Sequence, residues 1–373
     1  MKKNLLSAML LVCLMALSIS TLPSRAASKP IIVVHAKGAL EPGYSLEAIM
    51  NNITEVDWVL VTGELTATDL AGATMLILVQ VDAQLNYTDT ELAAITSWFS
   101  AGGKAIWVAG DSDFGTDRFR IPSSNSVLEA IGSVLRFEDC ETVDPVSNAG
   151  FDYRVLGVSE NCDPEVNFLV AGVTKALFHG PGLIIGYYGG AYHKLEEEKP
   201  DNVFIVMTSS ESGTVAEFNE PAAELHEIGD VGTFPMMVIE VDYTKKNIII
   251  ATADAPFDHY MGMYMPELRG PKYYQRYMVD NPQQGARLFK NIISYVLYYA
   301  PKMLEQHNQI VSMQSQVNTL QGQVTTLQEQ ISDLETEVAG LQGTVSMWQG
   351  AAGALLVVGL VIGAVIVYFM KHK

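Results

Sequence analysis

The residues best placed to do chemistry sit where an apolar strand meets a turn. Ala105 to Ala109 runs into Gly110-Asp-Ser-Asp-Phe-Gly115, and the carboxyl end of a strand in an open α/β sheet is where such sheets bind ligands. Ser112 is the one hydroxyl there. Phe114 separates Asp113 from Gly115, so the turn departs from the Gly-x-Ser-x-Gly nucleophile elbow. A base for Ser112 would have to come from His35, His179, His193, His226 or His259, and spacing singles out none of them. Oxygen-based binding fits the residue types better. His35 ends the first strand, Asp111 and Asp113 follow another, and Asp254, Asp258 and His259 follow a late one. Carboxylates converging there would suit calcium or magnesium, while Asp at such turns also serves to cap helix termini. The expectation is a ligand-binding edge with no resident cofactor, calcium or magnesium being the one alternative.

The elements that position these residues alternate between strand and helix. Ile31-Ile-Val-Val34 is an apolar run of the buried parallel type. Tyr44 to Ile53 reads as a helix, Trp58 to Val61 and Met75 to Val79 as strands. Thr88-Asp-Thr-Glu91 forms a capping box for a helix that turns Leu92, Ile95, Trp98 and Phe99 inward. Gly102-Gly103 ends it before the strand Lys104 to Ala109. Ser126 to Val134 looks helical. Strands are expected at 182–187, 203–208, 236–241 and 247–252, and a last helix buries Leu288, Phe289, Ile292, Ile293, Val296 and Leu297. The fold class expected is α/β, a doubly wound, mostly parallel sheet with a β-rich insertion. The aromatic-rich stretch Tyr260 to Tyr277 reads as a loop packed over that sheet, or as a contact surface.

After Pro301 the pattern changes. Ile310, Met313, Val317, Leu320, Val324, Leu327, Ile331, Leu334, Val338, Leu341, Val345 and Trp348 recur at steps of three and four. β-Branched residues at a and mostly leucine at d favour a parallel two-stranded coiled coil, about 58 Å long at 1.5 Å per residue. Ala351 to Met370 then carries no charge and is long enough to span a bilayer. The basic end Lys371-His-Lys373 belongs on the cytoplasmic side, and Gly359 and Gly363 form a small-xxx-small face that would continue the pairing. At the other end, Lys2 and Lys3 precede an apolar run and Ser24-Arg-Ala26, the pattern of a secretory signal peptide.

The resulting division is residues 1–26 signal peptide, 27–300 ectodomain, 301–349 coiled-coil stalk, 350–370 transmembrane helix and 371–373 cytoplasmic tail. This is a single-pass type I protein with its head outside the cell. The formal charge of −19 becomes more negative still for the exported part, which argues against nucleic acid as a partner. Cys140 and Cys162 are the two cysteines left after export, and an even pair in an oxidising compartment points to one disulfide. Asn52-Ile-Thr54 and Asn86-Tyr-Thr88 match the glycosylation pattern.

Several stretches together resemble the class I glutamine amidotransferase-like superfamily. They are Asp89 to Phe99 with Gly102-Gly103 and Gly110-Asp111, Ser126 to Gly132, Ala171-Gly-Val173, Val206 to Ser210, and Ile250 to Asp254 leading to Asn281 and the last helix. The order is closest to the non-catalytic branch, the intraflagellar-transport GIFT domain and the auxiliary ectodomains of gliding-type ABC transporters. The resemblance covers about residues 30 to 300. In the catalytic members it implies a cysteine on the turn after the central strand and a His-x-Glu after a late one. Here those turns hold Gly110-Asp111-Ser112 and Ala253-Asp254-Ala255-Pro256, so no thiolate–imidazole pair is expected.

The expected protein is a non-enzymatic cell-surface homodimer, its head a degenerate amidotransferase-like binding module. An ABC transporter or an envelope-layer protein is the expected partner, beside the membrane and a second copy of the chain. The alternatives are an anchored extracellular hydrolase or metal-dependent enzyme, and a structural stalk of a surface layer.

Overall fold

The computed structural model describes residues 28–219, 225–257 and 261–371. The signal-peptide segment, Asp258 and His259 lie outside the described residues. The chain divides into two compact units, the first ending at Glu305 and the second running Gln306–Lys373.

Nine strands build the main sheet of the first unit: β1 (Ile31–Lys37), β2 (Asp57–Val61), β3 (Ala73–Gln80), β4 (Ala105–Ala109), β5 (Arg154–Val158), β6 (Lys175–His179), β7 (Val203–Thr208), β8 (Pro235–Asp242) and β9 (Asn247–Thr252). Their order is β2-β1-β3-β4-β9-β8-β7-β5-β6. The first five in that order run parallel. Beyond β9 every pairing is antiparallel, so only β8 and β5 are reversed and the other seven strands point one way. That direction decides where the chemistry goes. The ends of β1, β4, β9 and β6 and the start of β5 lie on one edge, bringing His35, Asp111, Asp254, His179 and Arg154 to the same side of the sheet.

The sheet is buried on both faces where it is parallel, which is why β1, β3, β4 and β9 are near-continuous apolar runs. Its covering helices are α1 (Tyr44–Asn52), α2 (Asp89–Ser100) and α3 (Arg120–Ala130), with the start of α4 (Gly285–Lys371). The Thr88 capping box opens α2 as its sequence requires, and the Trp98 indole N–H donates to the Ala73 carbonyl at 3.0 Å. Trp107 of β4 stacks on Phe289 at 5.2 Å, and Tyr264 and Phe257 meet the same ring edge-on.

The β-rich part is two small three-stranded sheets. One joins Leu135–Glu138, Leu183–Tyr188 and Ala191–His193; the other joins Thr142–Val143, Gly213–Val215 and Val231–Gly232. Residues from the second of these, and from the turns beside it, supply one wall of the cleft described below.

Two expectations are corrected. The helix expected at 126–134 is α3, Arg120–Ala130: Pro122 falls in its first turn, where a missing N–H is tolerated. Gly132, at φ +76°, ends it with the bonds Gly132 N–H to Glu129 O and Ser133 N–H to Leu128 O. The expected Cys140–Cys162 disulfide does not form, and both are free thiols. Cys140 is fully buried in the core after the strand Leu135–Glu138, while Cys162 lies beyond the far end of β5 with its sulfur against the Asp163 carbonyl. Burial raises both thiols, Cys140 well above its usual value and Cys162 to about 11 with help from the Asp163 charge. Neither is a thiolate at neutral pH.

The second unit is helical throughout its described length, and its heptad residues are exposed along the whole run, from Ile310 at 59% to Leu341 at 60%. The same helix holds an apolar window of mean hydropathy 2.6, long and apolar enough to cross a membrane.

Candidate functional site

The turn after β4 is held from below. Asp111 accepts from Arg120 at 3.0 Å and from the Ser112 backbone N–H at 2.8 Å. Arg120 also donates to Asp117 and to the carbonyls of Gln80 and Val81, tying the ends of β3 and β4 to the first turn of α3. Glycine at 110 is required by packing: a Cβ there would lie 2.4 Å from the Phe137 ring. Asp254 after β9 accepts from the His179 backbone N–H at 2.8 Å and from the Ala255 N–H at 2.7 Å. Burial pushes both carboxyls up, Asp254 to about 7 and Asp111 well above the ordinary range, where the neighbouring Asp117 adds to burial and Arg120 opposes it.

Above this floor lies a cleft of about 510 Å³, lined by Asp111, Ser112, Phe114, Asp117, Glu141, Asp152, Tyr153, Arg154, His179 and Glu217 among others. Its size is that of a small-ligand or side-chain pocket. Burial brings His179 down to about 4, with Arg154 adding to the effect, so its ring is neutral at pH 7. Glu141 goes the other way. It is raised to about 8 by burial and by the charges of Glu217 and Asp113. Asp113 is fully buried beside the cleft, both its carboxyl oxygens lack a hydrogen-bond partner among the described residues, and burial with the Asp139 charge lifts it to about 6.

The site expected from the sequence is therefore brought together in part. Asp111 and Ser112 line the cleft, and Asp113 and Asp254 are buried next to it or beneath it. His35 does not line it: its Nε2 lies 2.8 Å from the Gly63 carbonyl and 3.6 Å from Glu91. Glu141, Arg154, Asp117, Asp152 and Glu217 carry no motif and were reached only through the fold. The one local sign was Phe151-Asp-Tyr-Arg154, an arginine within reach of two rings; its guanidinium lies 4.5 Å from the Phe151 ring centre and 5.1 Å from that of Tyr153.

Two contacts of the turns are with the backbone. The Ser112 hydroxyl accepts from the Phe114 N–H, and the Asp254 carboxylate is used on the backbone of His179 rather than on its ring. Among the described residues no group of three or more His, Cys, Asp or Glu is arranged to hold a metal ion.

Compared with known proteins, the chain matches no family model and no curated protein. Among solved structures, "mmIFT52 N-terminal domain" superposes with a TM-score of 0.46 at 12% identity, covering 72% of this chain and 97% of that one. A putative GMP synthase component from Thermoplasma acidophilum superposes with a TM-score of 0.34 at 12% identity, covering 73% of this chain and 96% of that one.

Proposed function

We propose that the chain is a membrane-anchored surface protein whose amidotransferase-like head, of the non-catalytic GIFT-like kind, binds a partner without transforming it. The head is carried on a parallel, two-stranded coiled-coil stalk that ends in a single span. A transport complex or an envelope-layer protein is the partner expected for such a head. The observation that carries this reading is the second unit: an uninterrupted heptad stripe left open to solvent, in the same helix as an apolar segment fit for a bilayer. Exposed stripes of this length are covered in a stable protein, and β-branched a positions with leucine at d select two parallel strands. The occupation of the head's turns supports the rest. Asp111 and Asp254 stand where a catalytic pair would stand, and both are engaged in holding backbone and Arg120 in place.

Light scattering of the full chain in detergent is the test. The expected protein mass is that of two chains, and Leu327→Asp with Leu334→Asp is expected to give one, because each places a charge at a d position of the seam. A parent of one-chain mass contradicts the stalk.

A further inference from the structure

The cleft contains an acidic and a basic side chain that do not pair with each other. Glu141 is only 6% exposed, lines the cleft, and its carboxyl makes no hydrogen bond or ion pair with any described residue. Arg154, on the start of β5, lines the same cleft; its Nε and Nη1 are buried and likewise have no hydrogen-bond partner among the described residues. Buried donors like those of Arg154 are costly unless an acceptor arrives. Stacking against Phe151 and Tyr153 holds the guanidinium in place but leaves those N–H donors unused. The surroundings are strongly acidic: Asp117, Asp152 and Glu217 line the cleft with Glu141, against Arg154 as the one cation among the described lining residues and a His179 that is neutral at pH 7.

We infer that this cleft is a docking site for a basic peptide segment of the partner, a lysine or arginine side chain seated on Glu141 while a backbone carbonyl of the same segment accepts from Arg154. The acidic lining selects a net cation and draws it in. The carboxylates do not converge as metal ligands do, which suits an extended organic cation rather than a bare ion. Phe114, 60% exposed on the rim, offers an apolar surface for the stem of a long basic side chain. The occupant has to supply both a cation and an acceptor, and a peptide does so within one residue. This deepens the reading of the head as a binding module and rests on it; it does not depend on the stalk.

The test uses the full chain in detergent and three probes: the capped tripeptide Gly-Lys-Gly, its glutamate counterpart Gly-Glu-Gly, and spermidine, which has the charge and no carbonyl. Binding is read by calorimetry at low and moderate salt. The lysine peptide is expected to bind and the glutamate peptide not to. Glu141→Gln should weaken the lysine peptide at least tenfold, and Arg154→Gln should weaken it severalfold while leaving spermidine unchanged. Glu141→Gln keeps the size of the side chain and removes an unpaired buried acid, so its thermal midpoint should match or exceed the parent's. Several outcomes overturn the site: no binding of the lysine peptide, a change below twofold on Glu141→Gln (attraction by the overall acidic field alone), or equal binding of the glutamate peptide. Recovery of a cleaved peptide would instead overturn the reading of the head as non-catalytic. Failure of the dimer would leave the binding data for Leu327→Asp, Leu334→Asp equal to the parent's, so the two failures are distinguishable.

Discussion

The head is expected to lose about 4 kcal/mol of stability between pH 6.5 and pH 9. Two groups dominate that window. Glu141 titrates at about 8 in the fold, far above an unfolded glutamate. Its protonated form is the one the fold tolerates, so its contribution is complete below the unfolded value and disappears as pH rises through 8. His226 acts in the same direction. Burial alone would lower it, but hydrogen bonds to Glu138 at 2.5 Å and Glu196 at 2.8 Å outweigh burial and bring it to about 9. As an imidazolium between two carboxylates it stabilises the fold below the unfolded histidine value, and that stabilisation is lost as pH rises through 9. Below pH 6.5 the sign changes for His179: its folded value of about 4 means that unfolding takes up a proton there, and stability is lost as pH falls from 6.5 to 4. The raised carboxyls of Glu141, Asp254 and Asp113 oppose His179 in that acid range, so the clear signature is the falling limb above pH 6.5, read by thermal unfolding across pH. Glu141→Gln should flatten the alkaline limb by about 2 kcal/mol. A midpoint that holds constant or rises between pH 6.5 and 9 contradicts the assignment.

Lys37→Met is expected to cost about 3–5 kcal/mol, the cost of leaving one member of a buried ion pair alone. The Lys37 ammonium donates to both oxygens of Glu91 at 2.6 and 2.5 Å, and Glu91 is completely buried. Glu91 also accepts from the backbone N–H groups of Leu65 and Thr88, so one carboxylate joins β1, the loop before β3 and the start of α2. Without Lys37 it stays buried with two backbone donors and no cation. Changing Glu91 as well, to Gln, removes the stranded charge; the double variant should recover more than about 1 kcal/mol relative to Lys37→Met. Denaturant midpoints of the three proteins decide it. A single variant within about 1 kcal/mol of the parent would mean that water reaches Glu91.

Local rules carried the reading of the parallel half. Ile31 to Val34 could hardly be anything but a buried strand, and Thr88 with Glu91 both caps α2 and, through Glu91, holds Lys37. The heptads are legible for the same reason: each residue's role follows from its neighbours three and four places away. The antiparallel half is not built that way. β5 and β6 carry no local signal, because Arg154–Val158 and Lys175–His179 are five residues each, start with a charge and lack alternation. Their place beside β7 is set by tertiary pairing. With them went the cleft, since Arg154 and His179 reach it only because β5 runs against β6. Glu141 had no signal at all; what marks it is the burial of a carboxyl with no partner, a property of the fold. The cysteines failed for a related reason. Their even count suggested a bridge, but the chain between them forms β5 and carries one thiol into the core and the other to the strand's far end.

The most direct measurement of the central claim is oxidative cross-linking of single cysteines in the stalk, in native membranes. In a Cys162→Ser background, Val324→Cys at an a position should form an inter-chain disulfide rapidly, and Gln328→Cys, off the seam, should form little. A parallel, in-register pair predicts this contrast, because matching a and d positions face one another across the seam and residues off it do not. Equal cross-linking at both positions, or none at Val324→Cys, would contradict a dimeric stalk and with it the account of a head displayed on a paired anchor.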